Sequence, residues 1–110
     1  MIKKLLIANR GEIVCRIDRT CRKMGIATST VHSVADRNSV HVRTVGESIE
    51  IGAAPSIQSY LNIEAVLAAA RAVGADAIHP GIGFLSEDPV FAEAVTQAGL
   101  LFIGPSPDIL

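Results

Sequence analysis

Strand-like and helix-like segments alternate along this chain, and that alternation constrains the fold more than any other feature. Short apolar runs such as residues 5–8 are typical of strands that are covered on both faces of a sheet. Between these runs lie segments whose apolar residues recur at helical spacing. Strands that alternate with crossover helices form parallel sheets with right-handed connections. We therefore predict an α/β fold in which helices cover both faces of a parallel sheet.

The predicted elements follow from these runs and from the glycines, prolines and polar residues that separate them. Strands are predicted at residues 5–8, 27–31, 48–51, 77–79 and 101–103. Helices are predicted at residues 13–24, 40–43, 62–73 and 89–98. The residues expected to face the core are Ile13, Ile17, Thr20, Cys21 and Met24 in the first helix, Ile63, Val66, Leu67, Ala70 and Val73 in the third, and Phe91, Ala94, Val95 and Ala98 in the last.

An open, Rossmann-like arrangement with strand order 3-2-1-4-5 accommodates the five predicted strands. In that order the first and fourth strands are neighbours, and the helices that follow them lie on opposite faces. Ligands usually bind in the crevice beyond the carboxyl ends of such strands. Residues 9–12 and residues 80–87 are therefore predicted to meet at one crevice.

The composition suits a single domain over residues 1–110 and excludes several classes of protein. Hydrophobic residues make up 49% of the chain and the net charge is −1, so nothing draws it to nucleic acid or to an acidic membrane. The apolar run at residues 5–8 is too short for a signal peptide or a membrane span. Cys15 and Cys21 lack C-x-x-C spacing and are interpreted as reduced thiols in a cytosol-like compartment.

Residues 105–110 have the pattern of a helix start. Ser106 is a good N-cap, Pro107 suits the first helical position and Asp108 complements the helix dipole. The few residues that follow cannot form a stable helix alone. We therefore expect this chain to be the first module of a longer protein.

A glycine pair, Gly81 and Gly83, follows the fourth predicted strand and precedes the last helix. Glycines there allow a ligand or another segment to approach the backbone. The spacing resembles the dinucleotide fingerprint, but Ser86 occupies the place of the third glycine and the motif does not follow the first strand. The open interpretations are a site-lining loop completed by another domain, a tight turn packed on another domain, and, least favoured, a nicotinamide or flavin site.

Charged residues near the crevice leave further alternatives open. Arg10 binds an anion, or it forms a structural ion pair with Glu12 or Glu87. Arg16 and Arg19, together with Lys23, lie on one flank of the first helix, as a solvated face or as an interface to a second subunit.

The three histidines, His32, His41 and His79, lack the spacing of a metal site, and no metal ligand is predicted. His79 is expected to hold a hydrogen bond inside the crevice. Glu87 as a general base is a weaker hypothesis.

Seven motifs in order along the chain resemble the N-terminal domain of biotin carboxylases. They are IANRGEI at 7–13, ADRNSVHV at 35–42, GAAPS at 52–56, SYLN at 59–62, AIHPG at 77–81, GFLSE at 83–87 and FIGP at 102–105. The family includes the biotin carboxylase parts of acetyl-CoA, propionyl-CoA, methylcrotonyl-CoA and pyruvate carboxylases. In this family the domain precedes an ATP-grasp domain and a C-terminal domain.

The resemblance implies that the parent enzyme uses ATP, bicarbonate and Mg²⁺ or Mn²⁺ to carboxylate biotin on a carrier domain. It implies that the catalytic and ATP-binding residues lie beyond position 110, so the fragment should be inactive alone and bind none of these ligands tightly. It assigns to this chain one wall of the cleft. The cleft-lining residues would be Gly81, Ile82, Gly83, Phe84, Ser86 and Glu87, with Asn9 and Arg10.

The resemblance also implies partners and a location. The partners would be the ATP-grasp and C-terminal domains, the biotin carboxyl carrier domain, a carboxyltransferase and a second copy of the parent. Arg16 and Arg19 would lie at the dimer interface, since the first helix helps to form it in dimeric members. The location would be the cytoplasm, or the mitochondrial matrix in a eukaryote.

The chain departs from the family pattern at several positions. Ile82 stands where the family usually has Tyr near the biotin end of the cleft, which removes an aromatic face and a hydroxyl. Asp88 replaces the common Asn, and Gly46 with Glu47 replaces an acidic pair. The change at position 82 leaves open a weakened enzyme or an altered partner. Two further hypotheses stay open beside the resemblance: a non-catalytic interaction module, and a nucleotide-binding Rossmann domain of another enzyme.

Overall fold

A parallel sheet of five strands, in the order β3-β2-β1-β4-β5, organises the computed structural model, which describes residues 1–104. The predicted fold class and strand order are confirmed. The predicted helix start at residues 106–108 lies outside the described residues.

The observed elements follow the predicted ones closely. The strands are β1 Lys4–Ile7, β2 Ala27–Ser33, β3 Ser48–Gly52, β4 Ala77–His79 and β5 Leu101–Phe102. The helices are α1 Glu12–Lys23, α2 Val40–Val45, α3 Ile63–Val73 and α4 Pro89–Gln97. Short 3₁₀ turns lie at Val34–Asp36 and Ser56–Gln58. The main differences are in β2 and α2, which each continue two residues beyond the predicted ends at Val31 and Arg43.

Alternate residues of β1 divide the core between the two faces of the sheet. Leu6 packs with residues of α3 and α4, including Val66 and Phe91, on one face. Leu5 and Ile7 pack with residues of α1 and α2 on the other face. The helices that follow β1 and β4 therefore lie on opposite faces, as predicted from the strand order.

The buried face of α1 differs from the predicted one. Its buried residues are Val14, Cys15, Asp18 and Cys21, whereas Thr20 and Met24 are exposed. Asp18 can be buried because its carboxylate accepts hydrogen bonds from the Thr28 hydroxyl at 2.6 Å and from Arg22 Nε at 2.8 Å. The helix is thus rotated so that a satisfied polar residue lies inside, which hydrophobic periodicity cannot reveal.

The ends of α3 and α4 follow local sequence signals. Asn62 Oδ1 accepts a hydrogen bond from Ala65 N at 3.1 Å, and Asp88 Oδ1 accepts one from Val90 N at 2.9 Å. Ala98, predicted to face inward, is exposed because it lies at the C-terminal cap of α4. Cys15 and Cys21 are both free thiols and both buried. Over residues 1–104, no helix has the length and apolar character needed to cross a membrane.

Candidate functional site

The crevice forms where β1 and β4 lie side by side at the point at which the strand order reverses. Ile7 is paired with His79, and the amide of Ala8 donates to the His79 carbonyl at 2.9 Å. The chain leaves β1 through residues 9–12, here called the first loop, and leaves β4 into residues 81–87, here called the glycine loop. The two loops start at adjacent points of one sheet edge, as predicted.

Asn9 joins the two loops. Its side chain is buried, and its Nδ2 donates to the carbonyl oxygens of Pro80 and Ile82, each at 2.8 Å. Its Oδ1 accepts from the Arg10 amide at 2.8 Å. The contact is so close that a Cβ on Gly81 would lie 2.7 Å from Asn9 Nδ2. Asn9, which the resemblance predicts to line the cleft, thus shapes the glycine loop.

The glycine loop has an unusual backbone. Gly81, Gly83 and Phe84 have φ angles of 72°, 71° and 49°. The amide of Ser86 donates to the Gly83 carbonyl at 2.9 Å, which closes the turn. The side chain of Ile82 is 72% exposed. The loop thus presents an aliphatic side chain and a glycine at the opening of the crevice.

Glu87 lies two residues after the buried Leu85 and is itself exposed. Of the predicted cleft-lining residues, Asn9 lies against Gly81 and donates to the Ile82 carbonyl. Ser86 holds the turn through its amide.

Arg10 has a different partner from the two predicted. It forms a bidentate pair with Asp36, with Nε to Oδ2 at 2.7 Å and Nη2 to Oδ1 at 2.9 Å. The prediction of Glu12 or Glu87 as its partner is wrong. Glu12 instead pairs with Arg19 at 3.2 Å. Asp36 lies in the 3₁₀ turn that follows β2, the neighbour of β1, so sheet order brings the two together although they are distant in sequence.

Asp36 and Tyr60 are the residues of this region to which the sequence analysis assigned no role. The Tyr60 hydroxyl donates to Asp36 Oδ2 at 2.7 Å and accepts from the Ser33 amide at 3.2 Å. The Arg10 guanidinium, and after it the Tyr60 hydroxyl, lower the pKa of Asp36 well below its usual range. Burial, and then the Asp36 carboxylate, raise the pKa of Tyr60 to about 12. An acidic residue in the short segment that follows β2, a strand that borders β1, was the available signal for Asp36, whereas Tyr60 carried no local signal.

Four loops meet around this cluster. A cavity of about 180 Å³ is lined by residues that include Arg10, Asp36, Tyr60 and Phe84. Each of these comes from a different loop at the carboxyl edge of the sheet, one after each of the strands β1 to β4.

Two histidines hold the glycine turns. The Gly81 amide donates to His79 Nδ1 at 3.0 Å, which confirms the hydrogen bond expected of His79. The Gly11 amide donates to Nδ1 of the buried His41 at 3.4 Å, and His41 Nε2 lies 2.9 Å from the Val31 carbonyl. Burial lowers the pKa of both imidazoles, which favours the neutral rings that these bonds require.

Arg16 and Arg19 are both exposed on α1. They line a groove of about 490 Å³ whose other lining residues include Ile13, Ile17 and Met24. Arg16 and Arg19 thus lie beside a largely apolar groove, which also reaches His79 at the end of β4. Within residues 1–104, no group of three or more His, Cys, Asp or Glu side chains is arranged to hold a metal ion.

Comparison with known proteins connects this geometry to a family. The family model described as the biotin carboxylase N-terminal domain matches residues 1–110. The biotin carboxylase of Haemophilus influenzae is 57% identical over 110 residues, which are 100% of this chain and 25% of that protein.

Solved structures agree with that match. A crystal structure of a biotin carboxylase–beta-gamma-ATP complex from Campylobacter jejuni superimposes with a TM-score of 0.93 and 48% identity, over 97% of this chain and 24% of that one. The biotin carboxylase domain of a thermophilic 2-oxoglutarate carboxylase bound to bicarbonate superimposes with a TM-score of 0.93 and 43% identity, over 99% of this chain and 24% of that one. The chain thus spans about a quarter of the length of these relatives. With a match that covers both loops of the crevice and the full sheet between them, the chain belongs to the family of biotin carboxylase N-terminal domains.

Proposed function

We propose that this chain is the N-terminal domain, residues 1–110, of a biotin carboxylase subunit, and that an ATP-grasp domain and a C-terminal domain follow it in the complete protein. The complete protein would carboxylate carrier-bound biotin at the expense of ATP, with bicarbonate as the carbon source. The family match over the whole chain, both crevice loops included, is the observation that carries this proposal. The relatives solved with beta-gamma-ATP and with bicarbonate support it.

In this proposal the described residues supply one wall of such a site. Mg²⁺ or Mn²⁺ would need oxygen ligands, and residues 1–104 bring no three acidic or histidine side chains together for one. We therefore assign metal and phosphate binding to other parts of the complete protein.

The wall itself suits a compact, partly apolar molecule such as the bicyclic ring system of biotin. Ile82 offers an exposed aliphatic side chain, and Gly83 offers backbone with nothing within 4 Å of where a Cβ would lie. Asn9 keeps the carbonyls of Pro80 and Ile82 turned inward. The role of Asn9 and the glycine loop would be to orient biotin and limit water at one side of the cleft.

We expect the isolated domain to be inactive and to need the rest of the complete protein. Because the chain supplies a wall without the opposing side, the isolated domain should neither cleave ATP nor bind ATP, biotin or bicarbonate tightly. The partners we propose are the other domains of the same chain, a biotin carboxyl carrier domain and a carboxyltransferase. The proposed location is the cytoplasm, or the mitochondrial matrix in a eukaryote.

The test uses the complete protein that contains this chain. Phosphate release from ATP is measured with and without bicarbonate and with and without free biotin. We expect release that requires bicarbonate and that biotin accelerates, and we expect none from the 110-residue chain. Asn9→Ala should reduce the biotin-dependent rate, whereas Asn38→Ala, a change at an exposed position, should not. ATP cleavage that is absent, or indifferent to bicarbonate, would refute the proposal.

We also propose that Arg16 and Arg19 form part of an interface between two copies of the complete protein. Both are exposed beside the α1 groove, whose apolar lining would gain from burial. Sedimentation of the Arg16→Glu/Arg19→Glu variant should show a lighter species than the unmodified protein. Arg71→Glu, which changes an exposed arginine on α3 at the other face, serves as the control. An unchanged sedimentation coefficient in the double variant would exclude this interface.

A further inference from the structure

Phe84 has a backbone conformation that needs an explanation. It is the one non-glycine residue with positive φ among residues 1–104, at 49°. A bulky side chain disfavours this region, so neighbouring contacts must hold the residue there. The Phe84 backbone belongs to the glycine loop, so whatever holds Phe84 also shapes the proposed cleft wall.

Tyr60 is the aromatic neighbour of Phe84. The two rings are stacked, with centroids 5.0 Å apart and planes 24° from parallel. Tyr60 is buried, whereas Phe84 is only half-buried. The ring of Tyr60 is therefore the fixed surface and the ring of Phe84 is the part that rests on it.

The position of Tyr60 is fixed in turn by its hydroxyl. That hydroxyl donates to Asp36 Oδ2 at 2.7 Å and accepts from the buried Ser33 amide at 3.2 Å. Both Asp36 oxygens also accept from Arg10, which ties the cluster to the first loop. Charge-assisted bonds of this kind are short and strongly directional, so they define where the tyrosine ring lies.

We propose that Tyr60 is a positioning residue for the glycine loop. Asn9 holds the loop at its start, through the carbonyls of Pro80 and Ile82. Tyr60 holds it three residues after Gly81, through the ring of Phe84. The exposed part of the loop, Ile82 and Gly83, spans the gap between these two attachments. The proposal that this positioning serves biotin binding rests on the proposed function, whereas the effect on the loop itself does not.

The first experiment measures local opening of the loop in the 110-residue chain by amide hydrogen exchange. The Ser86 amide reports the loop, because it donates to the Gly83 carbonyl at 2.9 Å. The Ala8 amide, which donates to the His79 carbonyl, reports the sheet. The ratio of the two exchange rates separates loop opening from a general loss of stability.

Tyr60→Leu should raise this Ser86 to Ala8 ratio about tenfold, because it removes both the ring stack and the hydroxyl. Tyr60→Phe keeps a ring and should raise the ratio about threefold, which also provides a variant if Tyr60→Leu fails to fold. Phe102→Leu is the control, since Phe102 forms an aromatic pair with Phe91 elsewhere in the core at 6.0 Å. A ratio unchanged in Tyr60→Phe, or raised equally by Phe102→Leu, would overturn the proposal.

The second experiment uses the complete protein and separates positioning from a merely structural role. Tyr60→Phe should raise KM for free biotin at least threefold, while KM for ATP stays unchanged, because the loop is proposed to lie at the biotin end of the cleft. Glu50→Gln, which removes an exposed carboxylate paired with Arg37, should change neither KM. Equal changes in both KM values, or none, would overturn the role in biotin binding.

The two experiments keep the proposals distinguishable. If the unmodified complete protein shows no bicarbonate-dependent ATP cleavage, the proposed function fails. The exchange ratio still decides whether Tyr60 positions the loop.

Discussion

Replacing Asn9 with Ala tests whether the crevice depends on one amide side chain. The change removes three hydrogen bonds: those from Nδ2 to the carbonyls of Pro80 and Ile82, and that from the Arg10 amide to Oδ1, each 2.8 Å long. Asn9 is only 3% exposed, so water cannot replace the side chain without a local rearrangement. Loss of the side chain should therefore destabilise the fold and loosen both loops.

The magnitude follows from what each former partner can do. Arg10 and Ile82 are exposed residues, so their amide and carbonyl can regain water, and each lost bond should cost roughly 0.5–1 kcal/mol. The Pro80 carbonyl is buried and cannot regain water, so the loss of its hydrogen bond should cost about 1–3 kcal/mol. We expect Asn9→Ala to lower the free energy of unfolding by about 3 kcal/mol.

The assay is urea unfolding of the 110-residue chain, with the other two asparagines as references. Asn62→Ala removes a helix N-cap and should cost about 1 kcal/mol. Asn38→Ala changes an exposed residue and should stay within about 0.5 kcal/mol of the unmodified chain. Asn9→Asp keeps the volume but turns an oxygen toward two carbonyls, so it should destabilise at least as much as Asn9→Ala. The hydrogen-bond argument is wrong if Asn9→Ala loses no more unfolding free energy than Asn62→Ala, or if Asn9→Asp leaves the unfolding free energy unchanged.

Three more results are expected. Gly81→Ala should lose about 1–2 kcal/mol more unfolding free energy than Gly83→Ala, because both glycines have positive φ but only at Gly81 would a Cβ meet a side chain, 2.7 Å away; equal losses in urea would contradict this. Burial lowers the pKa of His41, so the unfolded chain binds the proton more tightly and stability should fall as pH decreases below about 6.5; an NMR titration midpoint at or above that value would refute the reasoning. Burial, and then Asp36, raise the pKa of Tyr60, the single tyrosine, to about 12. The absorbance of Tyr60 should titrate near that pH in the unmodified chain. In Asp36→Asn the midpoint should be lower, but still above about 10 because the burial remains. An identical midpoint in the two proteins would count against the hydrogen bond between Tyr60 and Asp36.

The parts of the fold that the sequence predicted are those that depend on local signals. The strand at residues 77–79 is bounded by Gly74 and Pro80, and the structure places β4 at the same three residues. The start of the last helix at Pro89 depends on a contact two residues apart, from the Val90 amide to the Asp88 carboxylate, and that contact forms. Asn62, predicted as the first residue of its helix, is instead the N-cap of α3. Strand order followed because right-handed crossovers leave few arrangements for five parallel strands.

The parts that could not be predicted depend on partners far along the chain. Arg10 pairs with Asp36 because β1 and β2 are neighbours in the sheet, and a count of nearby acidic residues points to Glu12 instead. The buried face of α1 includes Asp18, whose partner Thr28 lies on the next strand. Side-chain hydrogen bonds between elements decide such details, and hydrophobic periodicity does not record them.

The glycine loop is exposed on its outer side, and buried polar contacts hold it from behind. A loop that presents exposed residues such as Ile82 and Gly83 cannot be fixed by apolar packing over its outer surface. It can be fixed from behind, by Asn9 and Tyr60, provided that every buried polar atom in those attachments finds a partner. Among residues 1–104, no buried side-chain nitrogen or oxygen lacks a hydrogen bond. Because parallel strands bring their carboxyl ends to one edge, side chains from several loops can meet there, and a rigid wall can form while its outer surface stays free for another domain.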